Sequence, residues 1–121
     1  MIFKILVDTI YYVAYSIAMD QQLKRGLLDV CVLAVLNKGE SYGYQIITDL
    51  QGIVEISEST LYPILKRLLL LRFVTTRSVE HNGRLRKYYA ITPQGRMRIN
   101  DFLTDSKEMI LIYHYIRGDS R

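Results

Sequence analysis

Between Ser57 and Arg72 the apolar residues recur at three- and four-residue steps: Leu61, Ile64, Leu65, Leu68 and Leu69. That spacing predicts a helix with one buried stripe. Ser57, Ser59, Thr60, Tyr62, Lys66 and Arg67 fall largely off the stripe. They put hydroxyls near the helix start and cations further along, as a helix that reads DNA requires. Pattern alone does not separate such a helix from an ordinary amphipathic core helix. The flanking elements do.

Leu23 to Asn37 is apolar around most of a helical circumference, which predicts a central buried helix ending near Gly39. Ser41 is placed to cap a second helix over Tyr42 to Gln51, with Ile46, Ile47 and Leu50 inward. Gly43 costs that helix about 1 kcal/mol against Ala, and a close helix approach would explain it. A short connection then leads to Ser57, the expected cap of the two-faced helix. Two short helices with a tight connection predict a helix-turn-helix. Pro63 predicts an irregular or slightly kinked first turn in the second of them.

Phe73 to Glu80 and Leu85 to Thr92 are rich in Val, Thr, Tyr and Ile and read as strands. Asn82-Gly83 between them is a strong hairpin signal, because both residues tolerate positive φ. The tip and return strand carry Arg84, Arg86 and Lys87, which makes the hairpin a basic wing. Tyr88 and Tyr89 alternate, so one is expected in the core and one outside. Thr92 as cap and Pro93 as first residue start a last helix that runs to about Ile116. Its apolar residues, Met97, Phe102, Met109, Ile110, Ile112, Tyr113 and Ile116, outreach a small domain and call for a second copy. The fold class is therefore mainly α with a small β-hairpin, a winged helix-turn-helix with flanking N- and C-terminal dimerisation helices. Residues 1–18 form an apolar extension, 19–92 the DNA-binding domain and 93–121 the C-terminal dimerisation helix.

The extension, MIFKILVDTIYYVAYSIA, is too short and too interrupted by Lys4 and Asp8 to predict a membrane span. Three readings stay open for it: an added helix packing on a partner subunit, a disordered or membrane-touching lead, and sequence upstream of a start at Met19. No stable membrane insertion is expected.

Charge sharpens the functional reading. From Ser57 to Arg98 there are nine Lys/Arg against two acids, a net of +7. The rest of the chain has seven against ten, a net of −3. A basic block on a slightly acidic body is the footprint of a polyanion partner. The single cysteine, Cys31, excludes an internal disulfide and fits a cytoplasmic location. His81 and His114 are far apart, and no Cys/His spacing suggests a metal or other cofactor. Paired carboxylates, nucleophile–base sets and phosphate-cradling glycine loops are missing too, so the chain is not expected to be an enzyme.

Tyr42-Gly43-Tyr44, the run Ser59-Thr60-Leu61-Tyr62-Pro63, and Gly83-Arg84-Leu85-Arg86-Lys87-Tyr88-Tyr89 followed by Ile91-Thr92-Pro93-Gln94-Gly95 together resemble the PadR family of bacterial transcriptional regulators. The likeness runs roughly from Leu23 to Ile116. It implies a dimeric winged helix, usually a repressor, whose TLYP helix enters the major groove. Carried over, Thr60, Tyr62, Pro63 and Lys66 fall at DNA-facing positions, Tyr42 at the start of the supporting helix, and Arg84, Arg86 and Lys87 on the wing; Ser59 and Arg67, by their place off the apolar stripe, join the same expected DNA-binding surface. The last helix is short, as in the smaller branch of the family. There are two departures. Ser59 stands where the family usually has Gly. Leu69-Leu70-Leu71-Arg72-Phe73 replaces a polar stretch with a glycine.

The expected partners are double-stranded DNA, a second copy of the chain and a small aromatic effector. The resemblance implies effectors near the dimer interface, where Tyr113, His114 and Tyr115 are candidates, although aromatics at helical spacing are usually packing residues. Two other readings are a winged-helix protein-interaction module without specific DNA binding and a membrane-surface protein led by residues 1–18.

Overall fold

The computed structural model describes residues 2–18 and 21–119, with side chains described at 2–11 and 25–119. In chain order the elements are α1 (Ile2–Ala18), α2 (Gln21–Leu36), β1 (Ser41–Tyr42), α3 (Gly43–Leu50), α4 (Glu58–Leu70), β2 (Val74–His81), β3 (Arg84–Ile91) and α5 (Pro93–Arg117). Two compact units result, Leu28–Asn100 and Met1–Leu27 with Asp101–Arg121.

The first unit is a winged helix-turn-helix. Its core joins Val32, Leu33 and Leu36 of α2, Ile46 and Leu50 of α3, and Leu61, Ile64, Leu65 and Leu68 of α4. Val74 and Tyr89 close it from the sheet. The α4 stripe is thus the one its periodicity predicts. Tyr89 is buried and Tyr88 half-buried on the other face, as strand alternation requires.

The sheet has a strand that the local pattern did not reveal. Its order is β1-β3-β2, all antiparallel. Ser41 pairs with Tyr89 and Tyr42 with Tyr88. Ser41 is therefore not the cap of α3. Pairing with β3 holds both residues extended, Tyr42 becomes the N-cap, and α3 begins at Gly43. The Ser41 hydroxyl is buried and has no hydrogen-bond partner among the described residues. A tertiary ladder has overridden a local cap.

Ser57 does cap α4, its Oγ accepting from the Thr60 amide at 3.3 Å. Glu58 in the first turn adds a favourable charge at the positive end of the helix dipole. The helix then runs unbroken through the exposed Pro63, although proline leaves the Ser59 carbonyl without its intrahelical donor. At the other end, the Phe73 amide donates to Leu68 O at 2.9 Å and the Arg72 amide to Leu69 O at 3.0 Å. These are the two bonds of a Schellman cap, but the left-handed position holds Arg72 at φ 63° in place of the usual glycine. The helix exit thus keeps the geometry of a Schellman cap without a glycine.

Asn82 (φ 52°) and Gly83 (φ 76°) make the two-residue turn between His81 and Arg84, both residues left-handed as a type I′ turn requires. Thr92 then anchors α5. Its amide donates to Phe73 O and its hydroxyl to Arg72 O, while that hydroxyl accepts from the Gly95 amide at 3.1 Å. Gly95 is needed for contact, since a Cβ there would collide with the Phe73 carbonyl.

In the second unit, α1 exposes Ile2, Phe3, Ile5, Leu6, Val7, Ile10 and Tyr11. The far part of α5 exposes Leu111, Ile112, Tyr115 and Ile116. It ends at Gly118, again left-handed at φ 87°. Among the described residues no helix is long and apolar enough to cross a membrane.

Candidate nucleic-acid interface

The outer side of α4 is built by default: once Leu61, Ile64, Leu65 and Leu68 are committed to the core, the residues between them face water. Ser59, Thr60, Tyr62, Pro63 and Lys66 are all exposed. The hydroxyls near the helix start form a small cluster, with Ser57 Oγ 2.9 Å from Ser59 Oγ and 3.2 Å from Thr60 Oγ1. Tyr62 reaches back over α3. A Cβ on Gly43 would lie 2.5 Å from its hydroxyl oxygen. This is the close approach that justifies a glycine in the first turn of α3, and it ties α4 to α3 through the tyrosine.

Between the start of α3, Tyr62 and the wing lies an open groove of about 560 Å³. It gathers Tyr42, Tyr62, Arg84, Arg86 and Lys87, five of the residues the motifs single out. Tyr44 and Leu85, both well exposed, line it as well and were not anticipated; Tyr44 was within reach of the YGY motif. Ser59, Pro63 and Lys66 lie outside the groove, on the exposed side of α4. Thr60 lines a second depression of about 460 Å³ with Ile47, Val54 and Ile56.

Not every cation of the basic block is available to a ligand. Arg67, grouped above with the phosphate-facing residues, is engaged by Asp29. Its Nε and Nη2 donate to the two carboxylate oxygens of Asp29 at 3.1 and 2.5 Å. Its side chain is only 29% exposed and that of Asp29 only 13%. The hydrogen bonds from its side chain to Asp29 raise the Arg67 pKa further, against a smaller opposing effect of burial. Arg67 joins α4 to α2. Nothing in its position one residue after Lys66 signalled a partner 38 residues away.

Arg77 is also engaged, with Nε and Nη2 both donating to Glu40 at 2.7 Å. Arg86 is partly so. Its guanidinium lies over the Tyr42 ring, 4.0 Å from the centroid, and donates to Tyr88 Oη at 3.4 Å. Tyr42 and Tyr88 meet edge to face at 5.4 Å. Tyr42 thus supports a wing arginine, a role beyond the DNA contact the motif implies. Arg84 and Lys87 are exposed.

The effector candidates sit in the second unit. Tyr113 and His114 are half-buried and meet edge to face at 6.0 Å, while Tyr115 is 84% exposed. His114 Nδ1 lies 3.0 Å from Asp119 Oδ2, which Arg117 also approaches at 3.5 Å. No group of His, Cys, Asp and Glu among the described residues has the makings of a metal site.

Residues 32–101 match the model of the transcriptional regulator PadR-like family. No curated protein sequence gives a significant match. Among solved structures, a Streptococcus mutans UA159 protein (smu.1704) is 37% identical, with a TM-score of 0.67 over 80% of this chain and 92% of that one. A PadR-like transcription factor from Bacteroides fragilis is 30% identical, with a TM-score of 0.73 over 81% of this chain and 97% of its own. Bacillus subtilis PadR in complex with operator DNA is 29% identical, with a TM-score of 0.59 over 64% of this chain and 45% of that one. The matched segment spans α4, the wing and the groove between them, and the chain belongs to the PadR-like family of transcriptional regulators.

Proposed function

We propose that this chain is a cytoplasmic, dimeric repressor that binds a near-palindromic operator and is released by a small aromatic effector. The observation that carries the reading is the groove that joins Tyr42 and Tyr62 to Arg84, Arg86 and Lys87 beside the exposed side of α4. In this reading α4 enters the major groove. Ser59, Thr60, Tyr62 and Pro63 meet base edges and thymine methyls there, and Lys66 meets phosphate. Arg84 and Lys87 supply salt-dependent attraction along the backbone, and Arg86 does so while held against Tyr42. Bacillus subtilis PadR, a relative, was crystallised with operator DNA.

Residues 19–92 would act as the DNA-binding domain. Residues 1–18 and 93–121, with the exposed apolar residues of α1 and α5, would pair two copies and set two recognition helices about one DNA turn apart. Tyr113, His114 and Tyr115 would line the effector site near that interface.

The test is a gel shift of the purified protein on the DNA upstream of its own gene, at two salt concentrations, with an unrelated duplex as competitor. Binding that survives the competitor and falls steeply with salt supports the reading, and footprinting then defines the operator. The absence of binding at either salt would refute it in favour of a winged-helix protein-interaction module. Sedimentation at micromolar concentration tests the dimer, and a monomer would remove the case for a palindrome.

A further inference from the structure

One rung of the sheet carries Tyr42 on β1, Tyr88 on β3 and Arg77 on β2, side by side in register. Their side chains share the face opposite Tyr89 and the core. Arg77 Cζ lies 5.4 Å from the Tyr88 ring centroid, and Tyr42 meets Tyr88 edge to face on the other side. Arg86 covers Tyr42. Glu40 stands just before β1, yet its carboxylate takes both hydrogen bonds from Arg77 on β2. Strands β1 and β2 are not neighbours; the middle strand separates them by two strand spacings, roughly 9–10 Å. The Glu40–Arg77 pair is therefore a strap across the sheet, passing over Tyr88.

We infer that Glu40 and Arg77 are positioning residues for DNA binding: their strap sets the wing relative to the recognition helix, and Arg77 is not a phosphate ligand. The inference rests on the DNA-binding reading above. The mechanical path is short. Glu40 and β1 lead directly into α3 at Gly43, and Gly43 is in contact with Tyr62 of α4. At the other end Arg77 lies on wing strand β2, paired with Tyr88 of β3, the strand that begins with Arg84. Tying Glu40 to Arg77 thus links the base of the helix-turn-helix to the ribbon bearing Arg84, Arg86 and Lys87. Bidentate guanidinium–carboxylate geometry suits the task, because two parallel bonds fix orientation as well as distance. The pairing also draws the Glu40 carboxyl below its ordinary range, through the hydrogen bonds from Arg77.

The two roles open to Arg77 predict opposite signs for one substitution. If Arg77 were a phosphate ligand masked by Glu40, Glu40→Gln would unmask a cation and tighten DNA binding. If the pair is a strap, Glu40→Gln loosens the wing and weakens binding. The experiment uses the full chain and the operator duplex, with affinity measured across salt concentrations for wild type, Glu40→Gln, Arg77→Gln and the swap Glu40→Arg with Arg77→Glu. Expected are losses of about three- to tenfold for both single variants, with the log–log salt slope unchanged, and recovery of most of the loss in the swap. Tighter or equal binding by Glu40→Gln overturns the inference. So does a slope reduced by about one in Arg77→Gln alone, the mark of a lost phosphate contact. Amide exchange of the DNA-free protein tests the strap separately. The β1–β3 ladder should exchange faster in both single variants and return toward wild type in the swap; an unchanged ladder overturns the strap. If wild type binds no duplex specifically, the DNA-binding reading fails whatever the exchange shows.

Discussion

Replacing Arg72 with glycine should make the protein more stable, although it removes a large side chain. Arg72 occupies the left-handed C′ position after α4 at φ 63°, bracketed by the two Schellman hydrogen bonds to Leu68 and Leu69. A non-glycine residue in that region carries a steric cost of roughly 1–2 kcal/mol. Glycine removes the cost but gains more freedom in the unfolded chain, which returns about 0.5–1 kcal/mol. The net expectation for Arg72→Gly is about 0.5–1 kcal/mol of added stability. For a domain of this size that is roughly 2–6 °C in Tm. Arg72→Ala is the decisive companion, because it removes the same charge and keeps the strain. It should be no more stable than wild type. The assay is thermal and urea unfolding at a single protein concentration, since association shifts apparent stability. Equal stability of the Gly and Ala variants would refute the reasoning, because any gain would then come from charge or solvation and not from the backbone.

Arg67→Ala should cost about 1–3 kcal/mol by stranding the part-buried Asp29 carboxylate, and leave the salt slope of DNA binding unchanged. Lys66→Ala should show the reverse, with stability held and the slope lower by about one. Gly43→Ala pushes its new methyl against the Tyr62 hydroxyl, so stability and operator affinity should both fall; Tyr62→Phe in the same chain should recover part of the stability. Equal affinities of Gly43→Ala and wild type would separate Tyr62 from the α3 contact. The difference in DNA affinity between wild type and Glu40→Gln should vanish on acidification. Pairing lowers the Glu40 pKa, so the strap is complete above the ordinary carboxyl value of 4.5 and is lost as pH falls through the lowered one. A difference that persists where the carboxyl is protonated would mean that the charge is irrelevant.

What the sequence determined by itself was most of what has a short range. The buried stripe of α4, the Ser57 and Thr92 caps and the Asn82-Gly83 turn each depend on residues within a few positions of one another. So does the expectation that one of Tyr88 and Tyr89 is in the core and the other outside; the fold chose Tyr89. Periodicity and local hydrogen bonding report such features directly. The three family motifs likewise point to the groove, because helix start and wing are adjacent in any such fold. What only the tertiary structure decided was how groups distant in sequence are paired. Ser41 had the residue type and position of a cap, and the ladder to Tyr89 drew it into a strand. Arg67 and Arg77 look like the other cations of the basic block, yet each is held bidentately by a carboxylate 38 or 37 residues away. Charge is a property of the residue, but availability to a ligand depends on which partner the fold brings within 3 Å, and nothing local to the arginine encodes that.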